Sequence, residues 1–219
     1  MYAIPGTMCA PSVFRRLAEE LAGEVEVEAV SWLTEPGPWD IPTVADRIAE
    51  RITEPALVLG HSTGGAIALQ LALAHPDLVT GLILVNTGAH MRGHGDVDRI
   101  LGAGFGPELR AAVLDRSFAT PLDPADREEL LAYAAGVPGE AALEVLRSQR
   151  DLDLTPRLTQ LRCPVTIVHG WLDQVRTVEQ ANELAADIPG AHLRLVETGH
   201  TPVYEAPELV AGEVRALLT

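Results

Sequence analysis

The fold is decided by residues 56–65, which read ALVLGHSTGG. The wholly apolar run 56–59 is typical of a central parallel strand that helices cover on both faces. Ser62 follows this run in the pattern G-x-S-x-G, and a helical pattern begins directly after it. A Cβ at Gly60 or Gly64 would clash in so sharp a turn. The stretch therefore predicts a strand–turn–helix element that exposes one serine hydroxyl at the start of a helix.

Short apolar strands and amphipathic helices alternate on both sides of this element. Strands are predicted at residues 3–4, 25–32, 56–59, 82–85, 165–168 and 192–196. Helices are predicted at residues 11–22, 43–52, 63–75, 178–188 and 207–218. This order of elements predicts an α/β fold with a doubly wound, mostly parallel sheet of about six strands and right-handed crossovers.

The regular alternation stops between residues 88 and 160. This segment contains short helical patterns, such as 108–118 and 126–135, which are separated by Gly and Pro. We therefore expect residues 1–219 to form a single domain, with residues 88–160 inserted as a small helical cap. An insertion between two strands lies over their carboxyl ends, where open α/β sheets bind ligands.

Length and composition point to a globular protein of one domain, because the 219 residues are 47% hydrophobic and 21% charged. No apolar run approaches the roughly 18 residues that a membrane-spanning helix needs. The start, MYAIPG, shows no signal-peptide pattern. Two cysteines are too few for a disulfide framework or a four-thiolate zinc site. The expected location is the cytoplasm, with no membrane association.

The charge of the chain excludes several classes of partner and cofactor. A net charge of −15 repels phosphate backbones, so nucleic acids and anionic membranes are not expected partners. All 16 basic residues are arginines. The lack of lysine excludes Walker-type phosphate loops, Schiff-base catalysis and pyridoxal-phosphate enzymes, since each needs a lysine amine. We expect a small-molecule substrate and no cofactor.

A nucleophilic serine needs a base, and the base needs an orienting acid. His200 comes shortly after the last predicted strand, and Asp173 comes shortly after the strand before it, so both are predicted at the same sheet edge as Ser62. Their order along the chain is the order found in α/β-hydrolases. Asp151 and Asp153 rank second as the acid, because they follow a helical pattern rather than a strand. The alternative for Ser62 is an ordinary N-cap in a glycine turn.

The other candidate residues are assigned non-catalytic roles. His61 is expected to be a packing residue, and His169 is expected to be buried and hydrogen bonded. Cys9 lacks the G-x-C-x-G pattern of a nucleophile. A metal cluster could be imitated by four nearby residues, namely His90, His94, Asp96 and Asp98. The mixed polar composition of a loop explains them better than metal binding does, so no metal is expected there.

Five motifs spread over essentially the whole chain resemble the α/β-hydrolase superfamily. They are PGT at 5–7, GHSTGG at 60–65, RDLDL at 150–154, CPVTIVHGWLD at 163–173 and ETGHTPVYEAPE at 197–208. The resemblance implies a catalytic triad of Ser62, Asp173 and His200 with an oxyanion hole. It also implies that the backbone N–H groups of Thr63 and Thr7 form this hole, with Met8 as the alternative to Thr7.

Two features depart from this family's pattern. The loop reads Pro5-Gly6 where many relatives have His-Gly, which changes a side chain but keeps the N–H donors. The chain also begins almost at the strand before this loop, where relatives commonly carry an antiparallel hairpin. A sheet without that hairpin has an exposed first edge, and a homo-oligomer is the predicted way to cover it.

The predicted function is a serine hydrolase that cleaves an ester or thioester of a small, largely apolar molecule through an acyl-enzyme. Two alternatives stay open, namely a lyase that uses His200 as its base without an acyl-enzyme, and a non-catalytic receptor for a small ligand. The predicted apolar wall of the substrate pocket consists of Met8, Met91, Phe105, Phe118, Tyr133 and Trp171.

Overall fold

A computed structural model describes residues 1–90 and 106–218 of the chain. Its sheet has six strands in the order β2-β1-β3-β4-β5-β6, and every neighbouring pair is parallel. The strands are β1 (Tyr2–Ile4), β2 (Glu28–Ala29), β3 (Ala56–His61), β4 (Val79–Val85), β5 (Val165–Gly170) and β6 (His192–Val196). The predicted parallel α/β sheet of about six strands is confirmed.

Helices flank this sheet and connect its strands. In the described ranges they are α1 (Arg15–Glu20), α2 (Ile41–Ala49), α3 (Thr63–Ala74), α4 (Pro107–Arg116), α5 (Pro124–Gly136), α6 (Gly139–Asp151), α7 (Val178–Asp187), α8 (Pro202–Glu205) and α9 (Pro207–Ala216). Short 3₁₀ segments lie at Pro11–Phe14, Pro76–Leu78 and Thr155–Gln160. Among the described residues, no helix combines the length and the apolar character needed to cross a membrane.

Two predicted elements are shorter than expected. The strand predicted at 25–32 is reduced to Glu28–Ala29, because its only partner β1 has three residues and offers no longer ladder. The helix predicted at 11–22 is divided into a 3₁₀ turn and α1. Both differences lie at the β2 edge of the sheet. Homo-oligomer formation at this edge stays a prediction.

Apolar residues in the central strands divide between two cores because successive side chains point to opposite faces. In β3, Val58 belongs to the core that includes residues of α2, α3 and α7, whereas Leu57 and Leu59 belong to the core that includes residues of α1 and α9. The neighbouring strand β4 alternates in the same way. This two-sided burial is the physical reason for the wholly apolar run in β3.

The chain leaves the sheet after β4 and returns to β5 at one place. His90 and Asp153 form an isolated antiparallel bridge, and the Leu154 N–H donates to the Ala89 carbonyl at 2.9 Å. Helices α4, α5 and α6 lie between these two points in the chain. The bridge lies close to the boundaries predicted for the insertion, whose status as a separate cap stays a prediction.

Adding a methyl group at Gly64 is expected to destabilise the fold strongly. A Cβ there would lie 2.1 Å from the Ile4 carbonyl oxygen, so backbone would have to move. We expect Gly64→Ala to lower the free energy of unfolding by at least about 3 kcal/mol in urea denaturation. The matched control is Gly212→Ala in α9, where no atom beyond the neighbouring helix backbone lies within 4 Å of the added Cβ. It is expected to stabilise by about 0.5–1 kcal/mol. Equal effects at the two glycines would contradict this account.

Candidate functional site

Ser62 lies in a strained turn between β3 and α3. Its backbone has φ 54° and ψ −122°, and residues other than glycine rarely adopt a positive φ. The turn is tight because a Cβ at Gly60 would lie 2.4 Å from the Gly64 carbonyl oxygen. Although Ser62 is at the N-cap position, its side chain makes no capping hydrogen bond to α3. This geometry favours an exposed hydroxyl over the alternative of an ordinary helix cap.

His200 and Asp173 form a buried pair at the same edge of the sheet. His200 follows β6 and Asp173 follows β5, and His200 Nδ1 lies 2.7 Å from Asp173 Oδ2. The exposed fraction of the His200 side chain is 5%, and that of Asp173 is 0%. Since Nδ1 faces the carboxylate, Nε2 is the ring nitrogen left for proton transfer.

Asn86 holds Asp173 in place, and the sequence analysis missed it. It directly follows β4 with φ 44°, and its Nδ2 donates to Asp173 Oδ2 at 2.6 Å. Its Oδ1 accepts a hydrogen bond from the Gly170 N–H at 3.1 Å. The signal was available, because Asn86 directly follows an apolar strand, at the edge of the sheet from which Asp173 and His200 were predicted. Asn86 therefore joins the ends of β4 and β5 at the pair.

The charge of Asp173 is stabilised by its neighbours. Burial opposes its ionisation, but the charge of His200 and hydrogen bonds from His200, Asn86 and the Val175 N–H outweigh burial. Together they hold the pKa of Asp173 well below its ordinary value. The Val175 N–H donates to Asp173 Oδ1 at 2.6 Å, so both carboxylate oxygens have donors. The arrangement suits a permanently charged acid that orients an imidazole.

His61 supports the loop that carries His200. Burial lowers the pKa of His61 to about 3, and the nearby His200 acts in the same direction. The neutral ring lies with Nε2 at 2.8 Å from the backbone carbonyl of His200, which means that Nε2–H is the donor. Glu205 anchors the same loop, since its Oε2 accepts the Gly199 N–H at 2.9 Å and its Oε1 accepts the Ala119 N–H at 2.7 Å. Burial raises the pKa of Glu205, against the effect of these donors.

The loop after β1 approaches Ser62 closely. The Cys9 N–H donates to the Gly6 carbonyl at 3.1 Å, and Met8 inside this turn has φ 67°. A Cβ at Gly6 would lie 2.9 Å from Ser62 Cβ, which explains why only glycine fits there. The backbone N–H groups of Thr7, Met8 and Thr63 donate to no other described residue. Trp32 Nε1 donates to the Pro5 carbonyl at 3.0 Å and fixes the loop from behind.

A chain of side-chain hydrogen bonds joins this loop to α3 and α6. The Thr7 hydroxyl lies 2.8 Å from the Thr63 hydroxyl, which in turn lies 2.9 Å from Gln149 Oε1. Gln149 is 3% exposed and comes from α6. The two residues that were predicted to supply the oxyanion hole are thus connected through their side chains. The sequence analysis did not identify Gln149, because no local pattern on α6 distinguishes it.

Ser62, His200 and the turn after β1 line one cavity of about 120 Å³. Of the predicted pocket wall, Met8 and Phe118 line this cavity. Its described lining does not include two others: Trp171 is 50% exposed in the loop after β5, and Tyr133 packs against the apolar core. Met91 and Phe105 lie outside the described residues. Among the described contacts, the Ser62 hydroxyl makes no hydrogen bond to His200. In enzymes without bound substrate, catalytic hydrogen bonds of this kind are often long and shorten only when the substrate binds.

The alternative acids lie away from His200. Asp151 is exposed and pairs with Arg150 at 2.8 Å, and Asp153 Oδ1 accepts a hydrogen bond from the Thr155 N–H at 3.0 Å. Asp151 ends α6 and Asp153 follows it, so neither comes from the end of a strand, and no hydrogen bond or ion pair with His200 is described for either.

The remaining assignments have mixed outcomes. His169 is buried as predicted, and its hydrogen bonding stays a prediction. Burial lowers the pKa of His169. Burial raises the pKa of the Cys9 thiol to about 12, which makes it a poor nucleophile. Within residues 1–90 and 106–218, no group of histidine, cysteine and acidic side chains could hold a metal ion. His94, Asp96 and Asp98 lie outside the described residues.

Comparison with known proteins places this geometry in context. The sequence model that describes the alpha/beta hydrolase family matches residues 3–213 of this chain. Among similar curated proteins, the pimeloyl-[acyl-carrier protein] methyl ester esterase of Neisseria meningitidis serogroup B is 28% identical over 193 residues, which are 81% of this chain and 74% of that protein. The protein of the same name from Chromobacterium violaceum is also 28% identical, over 87% of this chain and 82% of its own.

Solved structures show the same fold. An esterase from Exiguobacterium antarcticum superposes with a TM-score of 0.89 at 21% identity and covers 100% of this chain and 92% of its own. An enol-lactonase from Burkholderia xenovorans superposes with a TM-score of 0.82 at 20% identity, over 99% of this chain and 90% of its own. At these identities the superpositions confirm the predicted fold.

Proposed function

Because the chain belongs to the alpha/beta hydrolase family, we propose that it hydrolyses a carboxylic ester or thioester with Ser62 as the nucleophile. The observation that carries this proposal is the strained Ser62 turn in one cavity with the buried His200–Asp173 pair. A binding protein has no need to hold a serine at a positive φ beside a histidine that is oriented by a carboxylate. The esterase names of the curated relatives support the same reaction.

The first half-reaction transfers the acyl group to the enzyme. Ser62 Oγ attacks the substrate carbonyl carbon while His200 Nε2 accepts the hydroxyl proton. The tetrahedral intermediate collapses when His200 donates this proton to the leaving alcohol or thiol. Asp173, hydrogen bonded to Nδ1, stabilises the imidazolium that exists between these two transfers.

The second half-reaction releases the acid. A water molecule replaces the alcohol, His200 Nε2 accepts one of its protons, and the hydroxide attacks the acyl-Ser62 carbonyl. The proton then returns from His200 to Ser62 Oγ as the carboxylic acid leaves. Each step balances with the substrate, one water and the three side chains, so the proposal includes no cofactor.

The oxyanion is proposed to bind the N–H groups of Thr63 and Thr7, with the Met8 N–H as the alternative to Thr7. All three residues line the cavity, and their N–H groups donate to no other described residue. The Thr7–Thr63–Gln149 chain supports this role, because it holds the two proposed donors at a constant separation. Loss of one such donor typically costs about 2.7–4 kcal/mol of transition-state stabilisation.

The size of the cavity supports a small acyl group. A cavity of about 150 Å³ holds a benzene-sized molecule, and the space at Ser62 measures about 120 Å³. Residues of α4, including Val113 and Leu114, form an apolar part of its wall. We propose that the inserted segment between β4 and β5 covers the site.

Location in the reducing cytoplasm is also proposed, and the free Cys9 and Cys163 agree with it.

Covalent labelling tests this assignment. A fluorophosphonate is expected to add to Ser62 alone, because Ser117, the other serine of the described cavity wall, donates its hydroxyl to the Val113 carbonyl. Intact-mass and peptide mass spectrometry would measure the adduct. Ser12→Ala should still be labelled, whereas Ser62→Ala should not. An adduct on another serine, or none on a folded protein, would refute the nucleophile assignment.

A further inference from the structure

We propose that Gln149 selects the acyl group of the substrate by donating a hydrogen bond from its side-chain amide to an uncharged oxygen of the acyl chain. This inference rests on the proposed ester hydrolysis and specifies its substrate class as esters whose acyl chain carries a hydroxyl or keto oxygen close to the ester carbonyl. The observations that carry it are the burial of Gln149, the orientation of its amide and its place in the wall of the Ser62 cavity.

Gln149 is a polar side chain on the buried face of α6. Its exposed fraction is 3%, and it lines the Ser62 cavity together with Leu146 from the same helix. Burying an amide costs free energy unless both of its ends find hydrogen-bond partners. A partner is therefore needed for Nε2 as well as for Oε1. The other buried residues of α6 are apolar, namely Ala141, Ala142, Val145 and Leu146.

The hydrogen bonds of Thr63 fix the orientation of this amide. The Thr7 hydroxyl donates to the Thr63 hydroxyl at 2.8 Å, and the Thr63 hydroxyl donates its single proton to Gln149 Oε1 at 2.9 Å. Gln149 Nε2 donates to no residue in the described ranges, and it is not one of the described polar atoms that are fully buried without a partner. Its NH₂ group therefore faces the cavity that the residue lines.

The sheet topology indicates which part of the substrate meets this NH₂ group. Gln149 bonds to Thr63, which directly follows Ser62, and Thr63 bonds to Thr7, which follows β1 on one side of β3. His200 follows β6, on the other side of β3. The leaving alcohol must lie at His200 Nε2, which protonates it. The acyl chain is thus the part of the substrate that passes Gln149.

An amide NH₂ group suits an uncharged oxygen acceptor. It donates to a hydroxyl or keto oxygen without the burial of a further charge. An acyl chain with a methyl group in place of that oxygen would remove water from Nε2 and offer no acceptor in return. A site that leaves its own buried polar group unpaired discriminates strongly against such an analogue. Gln149 can therefore distinguish two acyl chains of similar size.

Esters that differ in one oxygen test the inference on the wild-type enzyme. Methyl 2-hydroxypropanoate, 3-hydroxybutanoate and 4-oxopentanoate are each paired with the ester in which a methyl group replaces that oxygen. Methanol release gives kcat/KM, and rates of hydroxide-catalysed hydrolysis correct for the intrinsic reactivity of each ester. For the position that fits, we expect the oxygen-bearing chain to be preferred by about 10- to 100-fold.

Two outcomes on the wild-type enzyme would overturn the inference without any variant. One is the lack of a preference in all three pairs. The other is a preference only for an oxygen in the alcohol part, measured with 2-methoxyethyl acetate against butyl acetate.

Variants then assign the preference to Gln149. Gln149→Glu keeps an oxygen for the Thr63 hydroxyl but replaces the NH₂ donor with a second oxygen, whereas Gln149→Met lacks both ends of the amide. Both variants should reduce the preference to less than about threefold. The measured quantity is the ratio within a pair, so an equal change of both esters cancels. The control is Gln160→Glu, the same change at an exposed position outside the described cavity lining, which should keep the full preference.

The outcomes also separate a structural role and the proposed function from this inference. If both Gln149 variants fold, as shown by thermal melting, and keep the wild-type preference, Gln149 acts only through Thr63 and the inference is overturned. If 4-nitrophenyl acetate is hydrolysed through Ser62 but no oxygen-bearing ester is preferred, only the inference fails. If no ester or thioester is hydrolysed by the folded protein, the proposed function fails, and the inference that rests on it fails as well.

Discussion

Ser62→Ala is expected to lower kcat for ester hydrolysis by about 10⁴- to 10⁶-fold, as the loss of a triad nucleophile does in other serine hydrolases. Ser117 also lines the described cavity wall, but its hydroxyl donates to the Val113 carbonyl at 2.7 Å. Cys9 also lines the cavity, but its thiol has a pKa raised to about 12 by burial and stays protonated. Initial rates on a 4-nitrophenyl ester, together with thermal melting to show that the variant folds, would measure the effect.

The size of this loss distinguishes hydrolysis from the lyase alternative. In an elimination, His200 would remove a substrate proton directly, and Ser62 would contribute one hydrogen bond worth about 10- to 100-fold. Ser12→Ala is the control and should stay close to the wild-type rate, since Ser12 lies outside the cavity lining. A folded Ser62→Ala protein that keeps several per cent of the wild-type rate on its natural substrate would refute the acyl-enzyme mechanism.

Asp173→Asn is expected to lower kcat by about 10⁴-fold while leaving the fold intact. Both oxygens of Asp173 accept hydrogen bonds, from His200 and Asn86 at one oxygen and from the Val175 N–H at the other. An amide has only one oxygen, so its NH₂ group must face one of these donors or turn towards His200. When the amide oxygen accepts the Val175 N–H, the NH₂ group faces His200 Nδ1 and favours the tautomer with its proton on Nε2, which cannot accept the proton of Ser62.

Two exposed aspartates provide matched controls for this substitution. Asp151→Asn and Asp153→Asn make the same chemical change on α6 and in the loop after it, where neither side chain contacts His200. Both variants should retain kcat within about threefold of wild type, which is the expectation for surface positions. An active Asp173→Asn enzyme combined with an inactive Asp153→Asn enzyme would transfer the role of the orienting acid to Asp153.

Much of the fold was predictable because it depends on local patterns. The run at 56–59 is apolar on both faces of β3, and such burial leaves no polar alternation along a strand. The family assignment is confirmed, as is the six-stranded parallel sheet. The end of β2 was less predictable, since an edge strand extends only as far as its partner allows. Here that partner is the three-residue β1.

The pocket wall was predicted less well, for a physical reason. An apolar side chain has the same sequence signature whether it lines a cavity, fills the core or faces solvent. Phe118 lines the cavity, Tyr133 packs into the core, and Trp171 is half exposed. Only the tertiary packing around each side chain separates these three environments.

The sequence by itself determined the strand–turn–helix around Ser62, the order of Ser62, Asp173 and His200, and their common edge of the sheet. These follow from chain order, because parallel strands place all their carboxyl ends on one side. Only the tertiary structure decided which polar groups meet there. Asn86 bonds to Asp173 across 87 positions of sequence, Gln149 reaches Thr63 across 86, and Arg176 joins the cavity wall. Contacts at such separations depend on how whole elements pack, which no local pattern encodes.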